Sequence, residues 1–170
     1  MIIIGEKING AIPSIKQAIA ERNEALIIER TLAQAAAGAN FLDCAPSTAT
    51  EIEYETMVWL IGLMQGATNV PLCIDSPNAK LLARVIEEGH LNKPGMVNSV
   101  NEEGDKCETI FPLIAGTPWE VVGLTCDQEG IPADPAKKVE IAKRIIDKAG
   151  RYGVSLNQLH IDPCVMALAT

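Results

Sequence analysis

The sequence has few histidines, no closely paired cysteines and no long hydrophobic run. No apolar run approaches the roughly 20 residues that a membrane-spanning helix needs. Only three consecutive apolar residues follow Met1, which is too short for a signal peptide. The two histidines and five cysteines include no CxxC pair or HExxH motif. We therefore expect a soluble protein of the cytoplasm, with reduced thiols, no bound metal and no membrane partner.

Basic residues are too few and too scattered for binding nucleic acid. Lys and Arg number 14 against 22 Asp and Glu, which gives a formal net charge of −8. Neutralising phosphates requires grouped Lys and Arg, so no nucleic-acid partner is expected. Hydrophobic residues make up 48% of the 170 positions, enough for a buried core and too many for a disordered chain. The length predicts one domain over residues 1–170.

Short apolar runs alternate with longer segments of helical spacing. The apolar runs predict six buried strands: Ile2–Gly5, Asn40–Asp43, Leu72–Asp75, Met96–Asn98, Val121–Leu124 and Leu159–Asp162. The intervening segments predict helices at about Asn23–Ala37, Glu51–Met64, Asn78–Glu88, Asp105–Ala115 and Pro135–Ala149. Alternation of this kind predicts an α/β fold with a mostly parallel sheet covered by helices.

Two architectures fit this alternation, an open doubly wound sheet and a (β/α)₈ TIM barrel. The first predicted strand leads into Gly5-Glu6-Lys7-Ile8-Asn9-Gly10, which lacks the GxGxxG pattern of nucleotide-binding sheets. The barrel is therefore favoured. Because a complete barrel takes about 250 residues, we expect this chain to supply about the first six βα units and to be incomplete at its C-terminus.

Acids and amides follow the predicted strands, where both architectures place their ligands. The residues in question are Glu6, Asn9, Asp43, Asp75, Asn98 and Asp162. Buried carboxylates need donors or positive charge, and no arginine follows these strands. They therefore imply a metal or, more consistent with the two histidines, a ligand rich in N–H donors. Structural alternatives remain open, because Asp75 and Asp162 each precede helix-start signals and Asn98 could satisfy loop backbone. Catalytic thiols at Cys73 and Cys164 are disfavoured, because buried cysteines usually act as small hydrophobic residues.

A pterin matches these residue types. Its 2-amino-4-oxopyrimidine ring presents an N–H and an exocyclic NH₂ side by side, and one carboxylate can accept both. Asparagine can donate and accept at the remaining edge. Asp75, Asn98 and Asp162 are the residue types that such an edge requires.

Five segments together resemble the pterin-binding barrel family, over essentially the whole chain. They are Ile3-Ile4-Gly5-Glu6-Lys7-Ile8-Asn9-Gly10, Gly38-Ala39-Asn40-Phe41-Leu42-Asp43, Pro71-Leu72-Cys73-Ile74-Asp75-Ser76, Val97-Asn98-Ser99 and His160-Ile161-Asp162-Pro163. The most similar type is the methyltetrahydrofolate:corrinoid/iron–sulfur protein methyltransferases and their relatives in bacterial O-demethylase systems. The stretch Cys44-Ala45-Pro46 departs from the Val-Asn-Ala-Gly-like stretch of many relatives.

The resemblance implies a homodimeric enzyme that moves a methyl group between N5 of methyltetrahydrofolate and the cobalt of a corrinoid (cobalamin) on a partner protein. It implies that Asp75, Asn98 and Asp162 bind the pterin edge, and that Glu6 and Asn9 lie near the pterin or its aminobenzoyl linker. The asparagine credited in the family with contacting N5 follows a later strand, so the N5-activating residue is expected beyond Thr170.

Three other hypotheses about the function remain. Dihydropteroate synthase shares the barrel and the pterin pocket, but its Asn-Val-Thr-Pro-Asp-Ser-Phe stretch is not found in the first loop. The folate module of cobalamin-dependent methionine synthase is a further relative. The third hypothesis is not an enzyme: the chain is a truncated, non-catalytic barrel fragment that binds pterin weakly.

We expect the isolated 170-residue chain to be poorly soluble or oligomeric. An open barrel exposes two sheet edges and apolar interior faces, which favour self-association. Sedimentation velocity checks this, and a monomer that unfolds cooperatively would contradict the expectation.

Overall fold

A computed structural model of the chain describes residues 1–165, in which strands and helices alternate. The elements are β1 (Ile4–Gly5), α1 (Pro13–Ala20), α2 (Glu24–Ala36), β2 (Phe41–Cys44), α3 (Thr50–Ala67), β3 (Leu72–Asp75), α4 (Ala79–Glu87), β4 (Met96–Glu102), α5 (Lys106–Ile114), β5 (Glu120–Asp127), α6 (Pro135–Tyr152) and β6 (Leu159–Asp162). The strands follow chain order in a six-stranded sheet. The fold divides into two compact units, Met1–Met96 and the residues from Val97 onward.

In the first unit, short apolar strands are buried and pair in parallel. Ile4 lies opposite Phe41, and Leu42 lies opposite Leu72. All four residues of β2 are buried, as expected for a strand covered on both faces. Parallel pairing requires a crossover between consecutive strands, and the helices supply it. The carboxyl ends of β1, β2 and β3 therefore lie at one edge of the sheet.

Asparagine side chains begin two of the helices in this unit. Asn23 accepts a hydrogen bond from the Leu26 amide at the start of α2, and Asn78 accepts one from the Leu81 amide at the start of α4. Each satisfies an N–H group that has no partner within its helix. The helices bury aliphatic residues against the sheet, including Ile27, Leu60, Ile61 and Leu82.

The second unit joins β5 and β6 in a parallel ladder, with Leu124 opposite Asp162. Helix α6 begins with Pro135 in its first turn and with the Asp134 side chain accepting from the Ala136 amide. It ends at Gly153, whose φ of 80° is the left-handed conformation that glycine adopts without a steric penalty. Among the residues the structure describes, no helix is long and apolar enough to cross a membrane.

The predicted strands are all present, and their bounds differ where polar residues continue a strand. β3 and β6 match the prediction, β1 is shorter, and β2 is shifted by one residue. β4 and β5 run further, to Glu102 and Asp127, and several of the added residues are polar. The five predicted helices are also present, whereas α1 was missed. Its signals are Pro13 in the first turn and buried Ile15, Ala18 and Ile19 at helical spacing.

We predict that Gly95→Ala lowers the free energy of unfolding by about 1–3 kcal/mol, the usual cost of overpacking. A Cβ at Gly95 would lie 2.1 Å from the carbonyl oxygen of Leu72, so the backbone would have to move. Chemical denaturation measures the change. The matched control is Gly62→Ala in α3, where a Cβ meets nothing within 4 Å. This control should raise stability by up to about 1 kcal/mol through helix propensity. Equal effects of the two substitutions would contradict the steric argument.

Candidate functional site

Asp75 ends β3, and it does not cap the helix that follows. The cap of α4 is Asn78, so the structure excludes the capping role that the sequence left open for Asp75. Ser76 is buried, and its hydroxyl accepts from the Asn78 amide at 3.0 Å. The same hydroxyl donates to the buried Glu53 carboxylate at 2.6 Å. Local contacts thus fix the chain after β3 without using the Asp75 carboxylate as a cap.

The surroundings of Asp75 disfavour its ionised form. Burial is the largest cause, and the negative charges of Glu6 and Glu53 add to it, so the pKa of Asp75 rises to about 6. A carboxylate short of water and beside two other acids gains from any ligand that supplies N–H donors or positive charge. A strongly perturbed acid at the carboxyl end of a parallel strand is typical of a binding or catalytic position.

The loop after β1 brings Glu6 and Asn9 to this same edge of the first unit. Glu6 is exposed, and its charge acts on Asp75. Asn9 forms a parallel bridge with Ala45, the residue after β2. The Asn9 side-chain oxygen accepts from the Ala11 amide at 2.8 Å and from the Ser47 hydroxyl at 3.3 Å. The first unit therefore holds three of the five predicted site residues, at the carboxyl ends of β1 and β3, which pair with the two sides of β2.

Two thiols beneath this edge are unsuited to nucleophilic catalysis. Cys44 and Cys73 are fully buried, and burial together with Asp43 and Asp75 raises the pKa of both thiols well above its usual range. The Cys73 thiol is hydrogen-bonded to Asp43, its register partner on β2. Because the thiolate is the reactive form, these cysteines act as packing groups. Asp43 is buried beside these thiols, and its contact with Cys73 joins β2 to β3 near the edge of the sheet.

The second unit carries the other two predicted residues, Asn98 and Asp162. Asn98 lies on β4 and is half-buried, and Asp162 ends β6 and is exposed. One oxygen of Asp162 accepts from the Cys164 amide at 2.7 Å, which forms a local turn. The peptide bond between Asn98 and Ser99 is cis. That these two residues bind the same ligand as Asp75 stays a prediction.

Sequence reasoning missed Glu53 and Ser76. Glu53 lies in the first turn of α3, far from Asp75 in the chain, and only the fold brings its charge to bear on that acid. A buried glutamate hydrogen-bonded to a serine has no local sequence signature. Within residues 1–165, no three His, Cys, Asp or Glu side chains group as a metal site would require.

Parallel strands in chain order, the first five each followed by a helix and several with an acid at the carboxyl end, are typical of the (β/α)₈-barrel class of ligand-binding folds. Solved structures support this assignment. Dihydropteroate synthase from Xanthomonas albilineans superposes with a TM-score of 0.65 at 20% identity, over 96% of this chain and 58% of that one. The enzyme from Burkholderia cenocepacia gives 0.63 at 17% identity, over 95% and 56%. The predicted fold is confirmed as a partial barrel, with six strands and a helical connection after each of the first five among residues 1–165.

The chain belongs to the pterin binding enzyme family, whose sequence model matches residues 12–170. It is 49% identical over its whole length to the methylcorrinoid:tetrahydrofolate methyltransferase of Eubacterium limosum, and it spans 63% of that protein. It is 30% identical to the methionine synthase of Mycobacterium tuberculosis, and it spans 15% of that protein. The family predicted from the sequence is thus confirmed.

We predict that the protein loses stability between about pH 4 and pH 6 through Asp75, and that Asp75→Asn removes this loss. The folded-state pKa of about 6 lies above the ordinary value of 3.8. The folded protein therefore binds the Asp75 proton more tightly than the unfolded chain does. Its stabilising contribution is complete below about pH 4 and disappears as the pH rises through 6. It is on the order of 2 kcal/mol once solvent screening of this partly exposed group is allowed for.

Chemical denaturation of both proteins at several pH values measures this contribution. Asp147→Asn, on the exposed face of α6, is the matched control and should keep the wild-type pH dependence. Parallel stability curves for the wild type and Asp75→Asn would show that Asp75 is not destabilised by its surroundings.

Proposed function

We propose that this chain is the pterin-binding part of an enzyme that moves a methyl group between N5 of tetrahydrofolate and the cobalt of a corrinoid on a partner protein. The observation that carries the proposal is 49% identity, over the whole chain, to a methylcorrinoid:tetrahydrofolate methyltransferase. The similarity to a methionine synthase fits the same chemistry. The chain spans only 63% of the first of these relatives, so the substrate and the partner are part of the proposal.

The pterin would bind through hydrogen bonds to acids and amides at the strand ends. The Asp75 carboxylate would accept the ring N–H and the exocyclic NH₂ together, in the paired geometry that strengthens charged hydrogen bonds. Asn98 and Asp162 would take the remaining polar edge. The support for this assignment is the raised pKa of Asp75, since a half-buried acid between Glu6 and Glu53 gains more from N–H donors than a solvated one.

Methyl transfer sets a defined task for the protein at N5 of the pterin. The corrinoid supplies the methyl group in one direction and accepts it in the other. When N5 of tetrahydrofolate receives the methyl group, its proton must leave, and in the reverse direction N5 needs a hydrogen bond or proton to become a leaving group. The name of the Eubacterium limosum relative favours transfer from the corrinoid to tetrahydrofolate. Holding the pterin rigidly is the contribution of Asp75, Asn98 and Asp162, because it aligns N5 with the methyl carbon.

Other features of the resemblance remain part of the proposal. We place the enzyme in the cytoplasm as a homodimer, acting in one-carbon metabolism or O-demethylation. The N5-activating asparagine would lie beyond Thr170. A dihydropteroate synthase activity is less favoured, because the solved synthases are only about a fifth identical to this chain and share the fold alone.

We predict that Asp75→Ala and Asp162→Ala each weaken tetrahydrofolate binding by about 1–3 kcal/mol, the usual loss when a charged hydrogen-bond partner is removed. Isothermal titration calorimetry measures the dissociation constants, and methyl transfer to or from a corrinoid protein is followed from its visible spectrum. Asp147→Ala should leave both unchanged, since this residue lies exposed on α6. A folded wild type that binds no tetrahydrofolate, or variants that bind as well as the wild type, would contradict the proposed site.

Binding should also depend on pH through Asp75. The carboxylate is the acceptor of both pterin donors, so affinity should fall as the pH drops below about 6, where Asp75 becomes protonated. The same titration with Asp75→Asn should lack this fall.

A further inference from the structure

A cavity of about 390 Å³ lies in the first unit, between α1, the loop after β2 and the start of α3. Its volume is within the range of small-molecule sites. The apolar part of its wall is formed by Ile19, Ala20, Pro46, Ala49 and Ile52. None of these residues is among the predicted pterin contacts, so the cavity is a separate feature of the molecule.

Two threonine hydroxyls at this cavity lack partners. Thr56 is 1% exposed and lines the cavity, and its Oγ1 has no hydrogen-bond partner within residues 1–165. The buried Oγ1 of Thr48, also in the wall, has none within the same described part of the chain. A buried hydroxyl without a partner costs stability, so unpartnered hydroxyls at a cavity indicate a polar ligand group there.

Positive groups line the same cavity. Lys16 and Arg22 are in its wall, and the Arg22 guanidinium lies 4.5 Å from the centroid of the Trp59 ring. Ala49, at the start of α3, supplies no side-chain cap, so the first N–H groups of this 18-residue helix can bind an anion. The first turn also holds two acids, of which Glu51 is exposed to solvent and the buried Glu53 is hydrogen-bonded to Ser76. An apolar wall with cations and hydroxyls suits a ligand that has an aromatic body and carboxylates.

The cavity adjoins the proposed pterin site through one hydrogen bond. Ser47 lines the cavity, and its hydroxyl donates to the side-chain oxygen of Asn9 at 3.3 Å. The loops that carry these residues are packed backbone to backbone, since the Gly10 amide donates to the Ala45 carbonyl at 2.9 Å. A Cβ at Gly10 would lie 2.0 Å from the Pro46 oxygen. The cavity therefore lies directly beside the loop that carries Asn9.

We propose that this cavity binds the p-aminobenzoyl-glutamate tail of the folate substrate. The benzoyl ring packs on the apolar wall, and the glutamate carboxylates pair with Lys16 and Arg22 and reach the hydroxyls of Thr48 and Thr56. The inference rests on the proposed function, because it assigns the part of the folate that the pterin contacts leave unbound. It makes the tail a source of affinity and of preference for folates over free pterins.

Calorimetry with two ligands tests the proposal: tetrahydrofolate, which has the tail, and 6-methyltetrahydropterin, which lacks it. Lys16→Gln should weaken tetrahydrofolate binding about fivefold, as expected for loss of one exposed ion pair, and should leave 6-methyltetrahydropterin binding unchanged. Lys143→Gln, an exposed lysine on α6, is the matched control and should change neither.

Thr56→Val separates a binding role from a structural one. Valine has the shape of threonine without the hydroxyl, so the free protein should keep or gain thermal stability. Binding of tetrahydrofolate should nevertheless weaken severalfold, with no change for 6-methyltetrahydropterin. A purely structural threonine would change stability and leave the difference between the two ligands as it is.

The outcomes distinguish this inference from the proposed function. If both ligands bind and depend on Asp75, but Lys16→Gln and Thr56→Val affect them equally or not at all, the tail assignment is wrong and the pterin site stands. If the folded wild type binds neither ligand, both are wrong.

Discussion

The half-buried carboxylate of Asp75 is the constraint on which the site depends. Its position at the end of β3 removes it from water, and Glu6 and Glu53 surround it with negative charge, which is why its pKa rises to about 6. A fold does not keep such an acid for stability, because burying an unpaired charge is unfavourable. The arrangement is consistent with a ligand that brings its own donors. Under the proposed function that ligand is a pterin, which offers paired N–H groups.

Neighbouring residues of the first unit fix the backbone around Asp75 without hydrogen bonds to its carboxylate. Asn78 caps α4, and Ser76 connects Asn78 to Glu53, so the backbone after β3 is fixed by neighbours of Asp75. Below the edge, Asp43 and Cys73 form a buried contact between β2 and β3. Division of labour of this kind is expected of a preorganised site, in which supporting residues satisfy the backbone and leave one group for the ligand.

The sequence could predict what depends on local pattern, and it could not predict what depends on distant contacts. The apolar runs located β3 and β6 to the residue, because buried parallel strands are continuous apolar segments. The polar ends of β4 and β5 were not predicted, because a search for continuous apolar residues stops before them. Asp75 was identifiable from its place after a strand. Glu53, whose charge raises the pKa of Asp75, was not identifiable from the sequence. A helical glutamate is usually solvated, and only the packing of α3 against the strand ends buries this one.

The loops after β1 and β2 act as one structural element. The bridge between Asn9 and Ala45 and the contact of Ser47 with Asn9 join them, and the space for a Cβ at Gly10 is occupied by the Pro46 carbonyl. A change in either loop must therefore alter the other. This matters for the stretch Cys44-Ala45-Pro46, where the sequence departs from many relatives. Its backbone supports Asn9 on one side and forms the wall of the cavity on the other. The departure thus lies where it can alter how a folate tail is held, and through Cys44 it also reaches the surroundings of Asp75.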